Sequence, residues 1–262
     1  MAGTPIEETQ AEFEKLDDGS TNLAGMTSNI AEVTISNTVD SSGNPTSLSA
    51  SKLLHNKHVK GTVGVHFDEI ETDDCFPWHS SVHAEITYQA AGTLTECLTI
   101  GLIDFDIVDT TVPACEGEET WMEYLLDFSA DYDDPLRPIG AALEFVLDMT
   151  GGVCEGARKF GAALGSRTIV YVCEIELLEE WRKKDPGSAA VEVLHHMLPA
   201  HLGHGDAAMV LQPAVLDRGV SKEMEGEYQK MPFRFYGGLG YEKWFATKNG
   251  AKAPHTLMGR KL

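Results

Sequence analysis

Between Arg167 and Gly203 the hydrophobic period of the chain changes once, abruptly, and that change limits what the region can become. Thr168 to Leu178 alternates, with Val170 and Val172 on one face and Ile169, Tyr171, Cys173 and Ile175 on the other, which predicts a strand. Ala190, Val193, Leu194 and Met197 then recur at i, i+3, i+4 and i+7, the stripe of an amphipathic helix that Pro199 and Gly203 are expected to end. The join between them is short and contains Arg182, Lys183 and Lys184 in a row. A helix start carries backbone N–H groups without intrahelical partners and the positive end of the dipole, so a strand, a basic turn and a helix in this order suit a phosphate or pyrophosphate.

The basic run stands out because the chain is strongly acidic, with 20 basic against 41 acidic residues and a net charge of −21. That balance excludes general binding to nucleic acid or to an anionic membrane, and it favours cationic substrates such as amines. Arg182, Lys183 and Lys184 would reverse the field locally for an anionic ligand. No run of about 18 apolar residues predicts a membrane span. The N-terminus lacks the charged start and apolar run of a secretory signal. Five scattered cysteines without a CxxC pair fit a reducing interior, cytoplasmic or nuclear, better than a disulfide framework.

Elsewhere the signals are coarser. Residues 1–60 read as a polar arm, because Ser36 to Ser51 is dominated by Ser, Thr, Asn, Asp and Gly and offers little apolar surface to offset ordering. Residues 61–262 then form one domain. Val63 to Phe67, Val82 to Tyr88 and Leu98 to Val108 predict three strands in an antiparallel meander, with Ala90 to Gly92 as a turn. Trp121, Tyr124, Leu125 and Phe128, then Ile139, Leu143, Val146 and Leu147, fall at helical spacing and suggest a helical insertion around 119–165, with Gly151 to Gly165 as a loop. Ala207 to Leu211 reads as a short buried strand, Lys222 to Arg234 as a helix and Gly240 to Phe245 as a last strand. The polar tail after Lys248 is expected to be loose.

The run Arg182 to Gly187 resembles the signature Arg/Gln-x-x-Gly-x-Gly/Ala of the GNAT superfamily of N-acetyltransferases. The segment Phe235, Tyr236, Leu239, Gly240 and Tyr241 resembles that family's Phe-Tyr-x-x-Leu-Gly-Phe/Tyr. Both lie in the family's order, in the last third of the chain. The resemblance implies an α/β (α+β) fold: a mixed, mostly antiparallel central sheet flanked by helices, with a strand pair splayed near Glu174 to Leu177. It further implies acetyl-CoA as cosubstrate, with pantetheine against the backbone of Ile175 and Leu177. The pyrophosphate would lie on the turn and helix start formed by Arg182, Lys183, Lys184, Asp185, Gly187, Ser188 and Ala189. The implied chemistry is direct attack of an amine on the thioester, with Glu174 or Glu176 as base and Tyr236 as the acid that protonates the thiolate. The sequence departs from the signature at Asp185, where the family has glycine, and at Pro186, which has no N–H to donate. Asp before Pro is also a good helix start, so Asp185 is expected to cap the helix with its own carboxylate and repel a pyrophosphate. A GNAT-shaped binding protein without catalysis is the alternative these residues favour.

Other chemistries lack their spacing. His195, His196, His201 and His204 cluster at a helix end but do not form HExxH, so no metal site is expected. No GxSxG elbow, GxGxxG or GxxxxGK[ST] loop occurs.

Overall fold

The computed structural model describes residues 33–39, 45–68, 70–72, 76–93, 97–112, 120–129, 137–213, 222–246 and 256–262. In chain order the strands are β1 (Thr34–Val39), β2 (Pro45–His55), β3 (Lys60–Asp68), β4 (Glu71–Thr72), β5 (His79–Ala90) and β6 (Cys97–Asp109). Helices α1 (Trp121–Ser129) and α2 (Arg137–Leu143), a 3₁₀ segment (Glu155–Phe160) and α3 (Gly161–Leu164) follow. Then come β7 (Thr168–Leu177), a 3₁₀ turn (Glu179–Trp181), α4 (Pro186–Leu202), β8 (Ala207–Leu211), α5 (Lys222–Gly238), β9 (Glu242–Ala246) and β10 (Thr256–Lys261).

All the described strands join one sheet in the order β1-β2-β3-β5-β6-β7-β8-β10-β9, with β4 on β5. Every pairing is antiparallel except β7 with β8, so the sheet is mixed and mostly antiparallel, as expected. The parallel pair needs a crossover, and α4 supplies it. The alternation in β7 places Val170 and Val172 in a core with Val65, Ile86, Phe105, Met209 and the buried stripe of α4, including Ala190, Val193, Leu194 and Met197. Ile169 and Tyr171 point the other way, into a second core with Trp121, Leu125, Ile139, Leu143 and Leu164 from the helical segment. Helices therefore cover both faces of the sheet around β7 and β8.

Four sequence expectations are corrected. The second half of the polar arm assigned to residues 1–60 is β1 and β2, which extend the sheet by antiparallel pairing; the rest, apart from 56–60 in the turn to β3, lies mostly outside the described residues. Leu48 and Ala50 alternate with serines, enough to bury one face of β2 under α4. The loop expected over Gly151 to Gly165 is largely the 3₁₀ segment and α3, which bury Ala157, Phe160 and Leu164. Pro199 does not end α4 but sits in its last turns; Gly203 ends it in a left-handed conformation, φ 69°. The tail after Lys248 contains β10, inserted between β8 and β9 with Leu257 and Met258 buried.

Candidate active site

β7 pairs with β8 only from Thr168 to Val172, where β8 ends at Leu211. On its other side β7 continues along β6 to Leu177. Five residues, Cys173 to Leu177, therefore have no strand partner among the described residues on the side β8 has left. The ladder with β6 also shifts there: Asp104 faces Glu174 but Phe105 faces Val172, so Cys173 is an extra residue. Such a bulge bends a strand and re-aims its side chains, and here it coincides with the end of the pairing with β8.

The chain next makes the 3₁₀ turn and enters α4. Arg182 folds back: its Nε donates to the Leu177 carbonyl at 3.0 Å, and its guanidinium lies 3.8 Å from Glu176. Lys183 is exposed, and the half-buried Lys184 sets its ammonium 5.9 Å from the Trp181 ring. Lys183 and Asp185 adopt positive φ, 61° and 73°. Asp is among the few non-glycine residues that enter the left-handed region, which explains how it stands where the resemblance has glycine. Gly187 is buried, and a Cβ on it would lie 3.2 Å from Leu177 Cδ1 and 3.9 Å from Phe235. The missing side chain lets α4 start close against β7 and α5.

The expected capping of α4 by Asp185 is corrected. Its side chain makes no cap hydrogen bond; Oδ2 accepts instead from Asn56 Nδ2 at 3.1 Å. Its backbone carbonyl receives the Ala189 N–H at 3.2 Å, the first helical bond. Gly187 and Ser188, the two N–H groups ahead of Ala189, are thus left uncapped by that carboxylate, and Pro186 has none to offer.

Of the other expected residues, Ile175 and Leu177 pack against the α4-side core together with Tyr236 and Phe235. Tyr236 stacks edge-on to Tyr241 at 5.6 Å, and burial pushes its hydroxyl up to about 12. Glu174 is half-buried and Glu176 exposed; by alternation both face away from Ile175 and Leu177. The structure therefore brings Tyr236, Ile175, Leu177 and Gly187 to one side of β7 and the two glutamates to the other.

That second side holds a group the sequence reading missed. Register places Ser81 opposite Asp106, His83 and Glu174 opposite Asp104, and Glu85 and Glu176 opposite Leu102. A cavity of about 290 Å³ is lined by Ser81, His83, Asp104, Asp106 and Cys173, with Val82 and Phe105. Asp106 is buried and accepts from Ser81 Oγ at 2.5 Å and Cys173 Sγ at 2.8 Å, with His79 Nε2 at 3.0 Å. Burial opposes its ionisation, but the bonds from His79, Cys173 and Ser81 outweigh that and hold its carboxyl below the ordinary range. Burial and the Asp106 carboxylate push the Cys173 thiol up, which keeps it protonated and a poor nucleophile. His83 pairs with Asp104 at the rim. The signal for this cluster was present as Asp104, Asp106, Ser81 and His83 at period two, but it was readable only once β5 and β6 were in register.

No family model and no curated protein matches the chain. Among solved structures it is similar to an agmatine N-acetyltransferase (10% identity over 68% of this chain and 73% of that one, TM-score 0.39). It is also similar to Arabidopsis thaliana NAA60 in complex with acetyl-CoA (12%, 69% and 75%, TM-score 0.31). A third is an aminoglycoside 6′-N-acetyltransferase complexed with coenzyme A (13%, 69% and 72%, TM-score 0.29). The chain's own sheet has the arrangement the resemblance implies: one parallel pair within antiparallel strands, ending at Val172, with a helix crossing between the two strands.

Proposed function

We propose that the protein is an acetyl-CoA-dependent N-acetyltransferase acting on a primary amine by direct transfer. The observation that carries this reading is the run of β7 past the end of β8 into a basic turn whose helix start is not capped by its own carboxylate. A slot bounded by the free side of Cys173 to Leu177 takes the pantetheine arm against Ile175 and Leu177. The pyrophosphate lies on Lys183, Lys184 and the amides of Asp185, Gly187 and Ser188, with the cation of Arg182 nearby. The acceptor occupies the cavity on the opposite side of β7, whose lining carries Asp104 and Asp106 and neither lysine nor arginine.

The amine nitrogen attacks the thioester carbonyl, forming N–C as C–S breaks. Glu174, in register with Asp104 on the cavity side, takes the amine proton; Glu176 is instead paired with the Arg182 guanidinium. The leaving thiolate receives the proton of Tyr236, whose hydroxyl stays neutral up to about pH 12. Cys173, whose thiol is tied to the Asp106 carboxylate, takes no covalent part in this proposal, and transfer is direct. A non-catalytic binding role is the second reading, and one contact favours it: Arg182 Nε already occupies the Leu177 carbonyl that pantetheine would use.

Calorimetry with acetyl-CoA and desulfo-CoA, together with thiol release in the presence of a set of primary amines, separates the readings. Catalysis predicts binding of both, a rise in thermal stability with ligand, and amine-dependent thiol release. Binding without release from any amine, or no binding at millimolar ligand, overturns catalysis and supports the second reading.

A further inference from the structure

We infer that Asn56, in the turn between β2 and β3, is a positioning residue for the acetyl-CoA loop. It stands 128 residues before Lys184 and outside every segment that resembles an acetyltransferase. The inference rests on the function proposed above and adds to it a residue that nothing in the signature supplies.

The Asn56 side chain is fully committed. Its Oδ1 accepts from the backbone N–H groups of His58 at 2.7 Å and Val59 at 2.8 Å, which closes its own turn. Its Nδ2 donates to the Lys184 carbonyl at 3.2 Å and to Asp185 Oδ2 at 3.1 Å. The orientation of the amide is fixed by these partners, because the reverse placement would set its NH₂ against two N–H groups. The two bonds into the basic turn do different work. The bond to Lys184 holds the carbonyl between two residues at positive φ, Lys183 and Asp185. The bond to Asp185 draws the carboxylate aside from the start of α4. An Asp at that position otherwise accepts from the second or third N–H of the helix, here Gly187 or Ser188. Those are the amides the cofactor needs, and a carboxylate there would also repel a pyrophosphate. Asn56 thus holds aside the carboxylate that Asp185 brings to the helix start.

Asn56→Ser tests this, because serine keeps an oxygen for the turn amides and is too short to reach the basic turn; its melting temperature reports whether the turn survives. Without ligand, the Ser188 amide should show a downfield NMR shift and slower exchange in Asn56→Ser, as Asp185 swings onto it. Neither change should appear in Asn56→Ser/Asp185→Gly. With ligand, the acetyl-CoA Kd should rise about tenfold in Asn56→Ser, with kcat held, and by far less when the same substitution is made in Asp185→Gly. Equal losses in both backgrounds, or Gly187 and Ser188 amides that both stay unmoved, overturn the inference. A moved amide in a wild-type protein that binds no acetyl-CoA keeps Asn56 as the residue that holds Asp185 aside and overturns the enzymatic reading instead.

Discussion

At the scale of single residues the chain keeps two kinds of costly group near the parted strands. One is backbone: Lys183 and Asp185 hold positive φ without being glycine, a conformation that costs of order 1–3 kcal/mol and persists only where the surroundings impose it. Asn56, Trp181 and the tight seat of Gly187 are the surroundings in question. The other is Asp106, a buried carboxylate held ionised by three side chains. Its folded-state ionisation lies below that of the unfolded chain, so its contribution to stability is full above the usual carboxylate range. That contribution is lost as pH falls through the lowered value. Asp106→Asn should therefore destabilise the protein by about 1–3 kcal/mol near neutrality. The deficit should close as pH is lowered through about 4, a trend that chemical denaturation at several pH values reads directly. His195, pushed down to about 3 first by burial and set next to Tyr241 on the other side of the sheet, costs both proteins the same stability as pH falls below the ordinary histidine range, so it drops out of the difference.

Among the elements, β10 is the least expected and among the most informative. It stands between β8 and β9, and Leu257 is 1% exposed in the core that holds Trp121 and Leu143. Leu257→Ala should cost about 2–5 kcal/mol in urea or guanidinium unfolding, whereas a loose tail would tolerate it without measurable change. The strand was not legible because Thr256 to Lys261 is covered on both faces and offers only two large apolar residues, too few for either period to register. β1 and β2 were missed for the opposite reason: their serines and threonines look like linker composition, and the alternation of Leu48 and Ala50 acquires meaning only when α4 lies over it. By contrast the course of β7, α4 and β8 could be read, because one buries both faces, one a broad stripe, and the third is a five-residue apolar run; the Cys173 bulge, which turns Ile175 to the side of Val170 and Val172, and the two ends of α4 could not. The site divides along the same line. The basic turn is local and legible, while the Asp106 cavity depends on three strands meeting in register and the Asn56 tether on a contact across most of the chain.

For the whole molecule, charge and sheet geometry set the terms. A net charge of −21 repels itself in the compact state. Raising salt from about 10 to 150 mM shortens the screening length from about 30 to 8 Å and should raise the melting temperature in scanning calorimetry; a flat or falling response would mean that paired charges dominate. No helix among the described residues is long and apolar enough to cross a membrane. The sheet, meanwhile, is closed by a parallel seam only five residues long, from Thr168 with Ala207 to Val172 with Leu211. Like the tip of a crack in a plank, the end of that seam fixes how deep a wedge can be driven. Lengthening it by one rung would pull the reach of any inserted chain back by about 3.3 Å, roughly two bond lengths short of the carboxylates across the sheet. Under the proposed function, depth of penetration is thus set by where a strand stops, and a change in the length of β8 would alter which acceptors meet the reactive carbon without touching a single residue of the cavity.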